Sequence, residues 1–212
     1  MTLPERPPAP RGRPRDPDRP RRILEAAAEQ FCRLGYERTS MNAVAAASGI
    51  SKVTIYRYFP TKQALFEAVV DQHIEAMFAA MPPGSLDPLH PEIALQHIAE
   101  QFVNLIELDS VLASFRLMMA AAGQQSNACQ AFFDHGPLQL VHQVSAYMTA
   151  AAEAGTLAIH DPFLAANQFL ALFHGLEHIQ AQLDLGRCTP EANQTRIQAN
   201  VALFLRACRP DG

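Results

Sequence analysis

Between Ser51 and Pro60 the chain reads Lys-Val-Thr-Ile-Tyr-Arg-Tyr-Phe. At helical spacing Ile55 and Phe59 share one face, and Lys52, Val53, Thr54, Tyr56, Arg57 and Tyr58 spread over the others. Lys52 and Arg57 can donate to guanine edges or phosphates, Thr54 to either, and Val53 can touch a thymine methyl; the two phenols suit phosphate oxygens. Partial burial is the alternative for either tyrosine, a residue that is commonly half covered. Lys62 follows Thr61 at the start of another helical run, which puts a cation beside unpaired backbone N–H groups. The hydroxyls of Thr39 and Ser40, with the backbone amides of Met41 and Asn42, offer a second clamp of this kind, and simple capping does not exclude phosphate contact.

Other candidate chemistry is thinner. All eight histidines lie beyond residue 72, and His174 and His178 stand four apart on one helix face, a spacing that suits a metal. The run is HGLEH and not HExxH, so the glutamate of a zinc protease is missing and no third ligand is defined. Core or interface histidines that tune a pH response are the preferred reading, with no metal and no cofactor. Cys32, Cys129, Cys188 and Cys208 are scattered without a CxxC pair, as reduced and mostly buried thiols would be. No nucleophile, base and orienting group can be assembled, so an enzyme is not expected.

The elements that must position these groups are helical. Alanine, leucine and glutamine abound while glycine is sparse, which predicts an all-α protein of about nine helices with almost no sheet. From Arg19, the residues Ile23, Leu24, Ala27, Ala28, Phe31 and Leu34 recur at three- and four-residue spacing, and Gly35 closes the helix. Thr39-Ser40 caps a short second helix with Met41, Val44, Ala45 and Ala47 inward and Gly49 at its end; Ser51 caps a third over 52–59, ended by Pro60. Thr61 caps a fourth, through Leu65, Phe66, Val69, Val70, Ile74 and Phe78 to about Ala80, where Met81-Pro82-Pro83-Gly84 marks a domain boundary. Five more helices follow at about 90–108, 111–124, 127–154, 161–184 and 190–208, with turn signals at Ala122-Gly123, Gly155 and Gly186 and a kink at Gly136-Pro137.

Charge divides in the same place. Residues 1–70 hold 12 Lys and Arg against 7 Asp and Glu, and residues 71–212 hold 5 against 14, so the overall −4 conceals one end suited to a polyanion. Residues 1–18 read as a disordered basic arm with six prolines and Arg6, Arg11, Arg13 and Arg15, either lying in an A·T-rich minor groove or solvated. Residues 19–80 then form a helix-turn-helix unit with its connecting fourth helix, and 85–212 a larger helical domain. No apolar signal region opens the chain and no run approaches the ~18 apolar residues of a membrane span, so a cytoplasmic protein without a membrane partner is expected.

Residues 23–70 resemble the N-terminal DNA-binding domain of the TetR family. The resemblance rests on Phe31-x-x-x-Gly35-Tyr36, Thr39-Ser40, Ala46-x-x-Gly49-Ile50-Ser51-Lys52, Thr54-Ile55-Tyr56-x-Tyr58-Phe59 and Lys62-x-x-Leu65, in this order and spacing. It implies a homodimer that binds a near-palindromic duplex operator, usually as a repressor, and lets go, or occasionally binds, when a small molecule enters the C-terminal domain. Carried over by position, Ser40, Met41, Lys52, Val53, Thr54, Tyr56, Arg57, Tyr58 and Lys62 are the DNA-contacting set, to which the helix-start argument adds Thr39; Asn42 stands where an acidic residue is common. Phe115 to Leu183, with AEAGTL at 152–157, resembles one of the commoner C-terminal types of that family.

The helical bundle offers Phe102, Leu105, Phe115, Met118, Met119, Tyr147, Phe169, Phe173 and His174 as a lining for an unidentified lipophilic effector, each with ordinary core as the alternative. One apolar stripe, Phe169, Leu172, Leu176, Ile179 and Leu183, and another, Ile197, Val201, Phe204 and Leu205, are expected to pair two copies in a four-helix bundle. An architectural or interaction-type DNA-binding protein without effector is the competing class, distinguished by a filled core.

Overall fold

The computed structural model describes residues 18–82, 84–122 and 127–210. Of the basic arm only Asp18 falls within them, and Gly123 of the Ala122-Gly123 turn falls outside. The described residues are helices and connecting turns, without strands. In chain order they are α1 Arg19–Arg38, α2 Met41–Ser48, α3 Lys52–Tyr58, α4 Lys62–Ala79, α5 Pro91–Ile106, α6 Asp109–Ala121, α7 Asn127–Phe133, α8 Gln139–Glu153, α9 Pro162–Ala171, α10 Leu176–Gln182 and α11 Pro190–Ala207. None of them is long and apolar enough to cross a membrane.

The caps read from sequence are made. Ser40, Ser51 and Thr61 accept from the backbone N–H of Ala43, Thr54 and Ala64 at 3.1, 3.3 and 2.9 Å, and Asp161 and Thr189 do the same for α9 and α11. Each such cap stabilises its helix by about 0.5–2 kcal/mol. Gly35 bends α1 at φ +81°, and a Cβ there would lie 3.3 Å from Leu117 of α6, so the left-handed conformation and the close approach both require glycine.

Two of the expected long helices are broken, for different reasons. Between α7 and α8, Asp134–Leu138 forms a π-helical turn around Pro137, whose missing N–H leaves a gap in the ladder; this is the kink expected at Gly136-Pro137. The helix expected over 161–184 is instead α9 and α10, separated at Leu172–Gly175. There Asn200 Nδ2 donates to the Leu172 carbonyl at 2.8 Å and Arg196 Nη1 to the Phe173 carbonyl at 3.1 Å, so α11 side chains take carbonyls that an unbroken helix would keep for itself.

Two apolar clusters hold the molecule. The larger joins α4, α5, α8, α9 and α11 through Ile98, Phe102, Val144, Met148, Phe169, Phe173 and Phe204. The other surrounds Ile23, Ala27, Phe31, Val44, Ile55, Leu65 and Phe66, with Phe31 and Tyr36 each packed edge-on to Phe66 at 5.1 Å. Met118, Ala128 and Ala131 complete this second cluster from α6 and α7, so the helix-turn-helix unit shares its core with the helices behind it.

Candidate nucleic-acid interface and effector cavity

α2 and α3 are joined through Gly49, at φ +65° and ψ +21°, which turns the chain without a Cβ clash. Ile55 is fully buried and anchors α3. Opposite it lie Lys52, Val53, Tyr56 and Arg57, all exposed, with Val53 82% and Tyr56 41% accessible. The Lys52 ammonium sits 5.8 Å from the Tyr56 ring and the Arg57 guanidinium 5.6 Å from that of Tyr58, so each cation is held along the helix by an aromatic neighbour. Thr54 is half-buried and bonded to Ser51 Oγ at 2.9 Å; Tyr58 is half-buried against the core with Phe59. Ser40 is exposed at the start of α2.

Three members of the expected set do other work. Thr39 is 2% exposed, and its hydroxyl donates to the Gln30 and Gly35 carbonyls at 3.0 and 2.8 Å, which fixes the bend of α1 and leaves no hydroxyl for a phosphate. Met41 is 7% exposed, its thioether side chain in the core, and only its backbone N–H belongs to the helix start. The Lys62 ammonium donates to the Tyr36 and Glu37 carbonyls at 2.9 and 3.3 Å and lies 4.3 Å from the Tyr36 ring. It bolts the start of α4 to the end of α1, with one proton left for an external acceptor. Arg22 was not singled out by spacing, yet its Nη2 donates to the Ser48 carbonyl at 2.9 Å and holds the C-terminus of α2 against α1.

Behind this unit lies a cavity of about 200 Å³. Of the lining read from sequence, Phe102, Leu105, Phe115 and His174 border it. The rest of the expected lining is elsewhere: Phe169 and Phe173 are fully buried in the large cluster, Tyr147 is buried there too, Met118 packs in the helix-turn-helix core, and Met119 is 63% exposed. Among the walls not foreseen, the largest share comes from α1 and α4: Phe31, Cys32, Phe66, Val69, Val70, His73 and Ile74. Their signal was α4 itself, apolar on more sides than one partner covers. Gly136 in the π turn approaches α4 so closely that a Cβ would lie 3.3 Å from Val70 Cγ1.

The cavity carries a few polar groups among its apolar walls. His73 donates from Nδ1 to the Val69 carbonyl at 2.9 Å, and its Nε2 shares a hydrogen bond of 3.1 Å with the Ser110 hydroxyl. Cys32 donates to the Ser110 carbonyl at 3.4 Å, and burial pushes its thiol pKa up, away from thiolate reactivity. The four cysteines are free and half-buried, more open than expected. His174 and His178 pack edge to face at 4.8 Å, and burial lowers both; His178, with His174 and Arg196 close by, falls to about 4 and is neutral at physiological pH.

The apolar stripes also divide. Ile197, Val201 and Phe204 are 3–6% exposed and belong to the core of this chain, so they are not surface for a second copy; Leu172 and Leu205 are half-buried against the same core. Leu176, Ile179 and Leu183 stand 75%, 49% and 63% exposed, joined by Leu185 and Leu203, which spacing alone did not select.

The sequence and the fold both have relatives. Residues 23–69 match the family model of bacterial regulatory proteins of the tetR family, and residues 93–210 that of the C-terminal domain of AefR-like transcriptional repressors. A solved structure, the flavonoid-responsive regulator FrrA, is 31% identical over 92% of this chain and 98% of its own, with a TM-score of 0.71. The transcriptional activator FasR of Mycolicibacterium smegmatis is 31% identical over 46% of this chain and 44% of its own, and the nucleoid occlusion factor SlmA of Pasteurella multocida 27% identical over 51% and 56%. The chain thus spans about half the length of these two curated relatives. With one family model covering more than half of its residues and a solved relative aligned along nearly the whole of both chains, the protein belongs to the TetR family of transcription regulators, DNA-binding helix-turn-helix proteins and not enzymes.

Proposed function

We propose that the protein is a homodimeric repressor of a near-palindromic operator, released from DNA when an apolar small molecule occupies the cavity. The observation that carries this reading is the composition of the cavity wall. α1 and α4, which position the recognition helix, form one side, and α9 with α10, next to the exposed Leu176, Ile179 and Leu183, form the other.

That exposed face is a patch of the kind that marks association, and a second copy set against it forms a four-helix bundle. The dimer then holds two copies of α3 about one helical turn apart, roughly 34–36 Å. Exposed Lys52, Val53, Tyr56 and Arg57 supply its base and phosphate contacts, with Thr54, Tyr58 and Ser40 at the edges. Occupancy that shifts α4 against α9 and α10 alters that separation, because Lys62 ties α4 to the end of α1. A second tie is Arg116 of α6, which donates to the Gln182 and Ala181 carbonyls at 2.5 and 2.8 Å and so links α10 to the helix that packs across α1. The aromatic wall agrees with the compound class in the name of the flavonoid-responsive relative.

The test is a titration of operator-bound protein with compounds that bind it by calorimetry, followed by fluorescence anisotropy of the DNA. Saturable release is expected, with operator affinity reduced about 5- to 150-fold, the ordinary range of allosteric coupling. A compound that binds in the cavity and leaves operator affinity unchanged contradicts effector control.

A further inference from the structure

The cavity is open on one side. Among the described residues of its wall, Pro137, Asn167, Ala171 and His174 are exposed, and the rest are buried or half-buried. Pro137 belongs to the π turn ahead of α8. The other three recur at four- and three-residue spacing along one edge of α9 and the turn that follows it. His174 keeps its ring against Phe102 at 5.4 Å and His178 at 4.8 Å and shows the remainder outward. These four residues are the rim of the mouth.

That mouth lies within the apolar face assigned above to the second copy. Ala165, Ala166, Phe169 and Leu170 are the buried side of α9. Phe163 and Leu164, 41% and 48% exposed, stand away from them, and Asn167 and Ala171 follow Leu164 at three and seven residues, on the same side. Beyond the rim, Leu176 and Ile179 of α10 continue the exposed face. Exposed apolar side chains therefore flank the mouth on both sides along the chain. A closed two-fold pair sets the same patch of each copy against the other, so a dimer made through this face lays a helix of one copy over the mouth of its partner. Among the described residues of the wall there is no carboxylate, ammonium or guanidinium, and an ionised ligand enclosed there would surrender its hydration without a counter-ion.

We infer that each effector site is completed by the second copy, whose α9 and α10 close the mouth over an uncharged, largely apolar compound, so that effector binding and dimer formation strengthen one another. This inference rests on the cavity being an effector site and on a dimer formed through α9 and α10. The body of the compound lies among Phe102, Leu105 and Phe115, and the rim offers Asn167 and His174 to its polar end. A compound seated in the mouth touches both copies and so bears directly on how they sit relative to one another.

The probe is N-phenyl-1-naphthylamine, an uncharged aromatic amine whose fluorescence rises in apolar surroundings, titrated into the full chain. Closure of the mouth removes on the order of 50 Å² of further apolar surface from water, which makes each site about tenfold tighter in the dimer than in the monomer. By linkage, sedimentation equilibrium is expected to show the dimer dissociation constant falling about a hundredfold at saturation, tenfold for each of the two sites. Leu176→Glu combined with Ile179→Glu alters exposed positions that line no part of the cavity. That variant is expected to be monomeric and to bind the probe about tenfold more weakly. If it stays dimeric or does not fold, dilution of the parent protein through its dissociation range decides, with affinity per chain falling as the dimer separates. Phe115→Ala changes the affinity for the probe and so places it in the cavity. Equal affinity in monomer and dimer, or a dimer that the probe leaves unchanged or weakens, overturns closure by the second copy while leaving an effector cavity standing. No binding, or binding indifferent to Phe115→Ala, overturns both.

Discussion

Tyr56→Ala lowers operator affinity by about a hundredfold and leaves the melting temperature within about 2 °C of the parent. Tyr56 stands 41% exposed on α3, its ring within 5.8 Å of the Lys52 ammonium. Truncation removes a phenolic donor to phosphate and also the surface that holds Lys52 along the helix, two contacts of about 1–1.5 kcal/mol each at ~1.4 kcal/mol per factor of ten. Little is lost from the fold, because the core contact of α3 is Ile55, fully buried. Tyr58 provides the internal comparison. It is half-buried beside Phe59 against the core, so Tyr58→Ala lowers stability as well as affinity. Anisotropy and thermal denaturation on the same preparations check both variants; loss of folding in Tyr56→Ala equal to that in Tyr58→Ala refutes its assignment to the DNA face.

Phe169→Ala has the largest effect on stability. The ring is fully buried, edge-on to Phe173 at 5.5 Å and to Phe204 at 5.0 Å, and joins α9 to α11. Removing it costs about 3–5 kcal/mol through lost transfer energy and the void left behind, a fall in melting temperature on the order of 10 °C for a chain of this size. Phe115→Ala is the contrast. That ring is half-buried on the wall of a cavity, so its truncation enlarges a space already present and costs about 1–2 kcal/mol while changing which compounds bind. Urea denaturation of the two variants measures the difference; similar losses at both sites would mean that Phe115 is core.

What could be read in the sequence and what could not follow from one physical distinction. Periodicity reports that a residue faces something apolar, and caps report where a helix begins, since both are local. Hence the order of helices, Ser40, Ser51 and Thr61 at their starts, Gly49 in the turn and Ile55 inward were all legible. Which apolar surface a stripe meets depends on the rest of the fold. Ile197, Val201 and Phe204 repeat as regularly as Leu176, Ile179 and Leu183, yet the first set is covered by this chain's own helices and the second is not.

Polar groups show the same limit. Thr39 and Lys62 have the chemistry of phosphate contacts, but carbonyls at the bend and end of α1 reach them first. That competition is set by the Gly35 bend, whose direction no spacing rule gives. The break between α9 and α10 depends on Asn200 and Arg196, some 23 to 28 residues downstream of the carbonyls they hold. The cavity was expected wholly within the C-terminal helices because α4 was assigned to the DNA-binding unit. Its second apolar side, through Val69, Val70 and Ile74, makes it a wall of the cavity as well.

The most direct test of the central claim is selection of the purified protein against random duplex DNA, with the recovered sequences read for symmetry and spacing. A palindrome with half-sites about one helical turn apart is predicted, and it is lost in Tyr56→Ala. Recovery of duplexes with no shared sequence would contradict sequence-specific dimeric regulation and favour an architectural DNA-binding role.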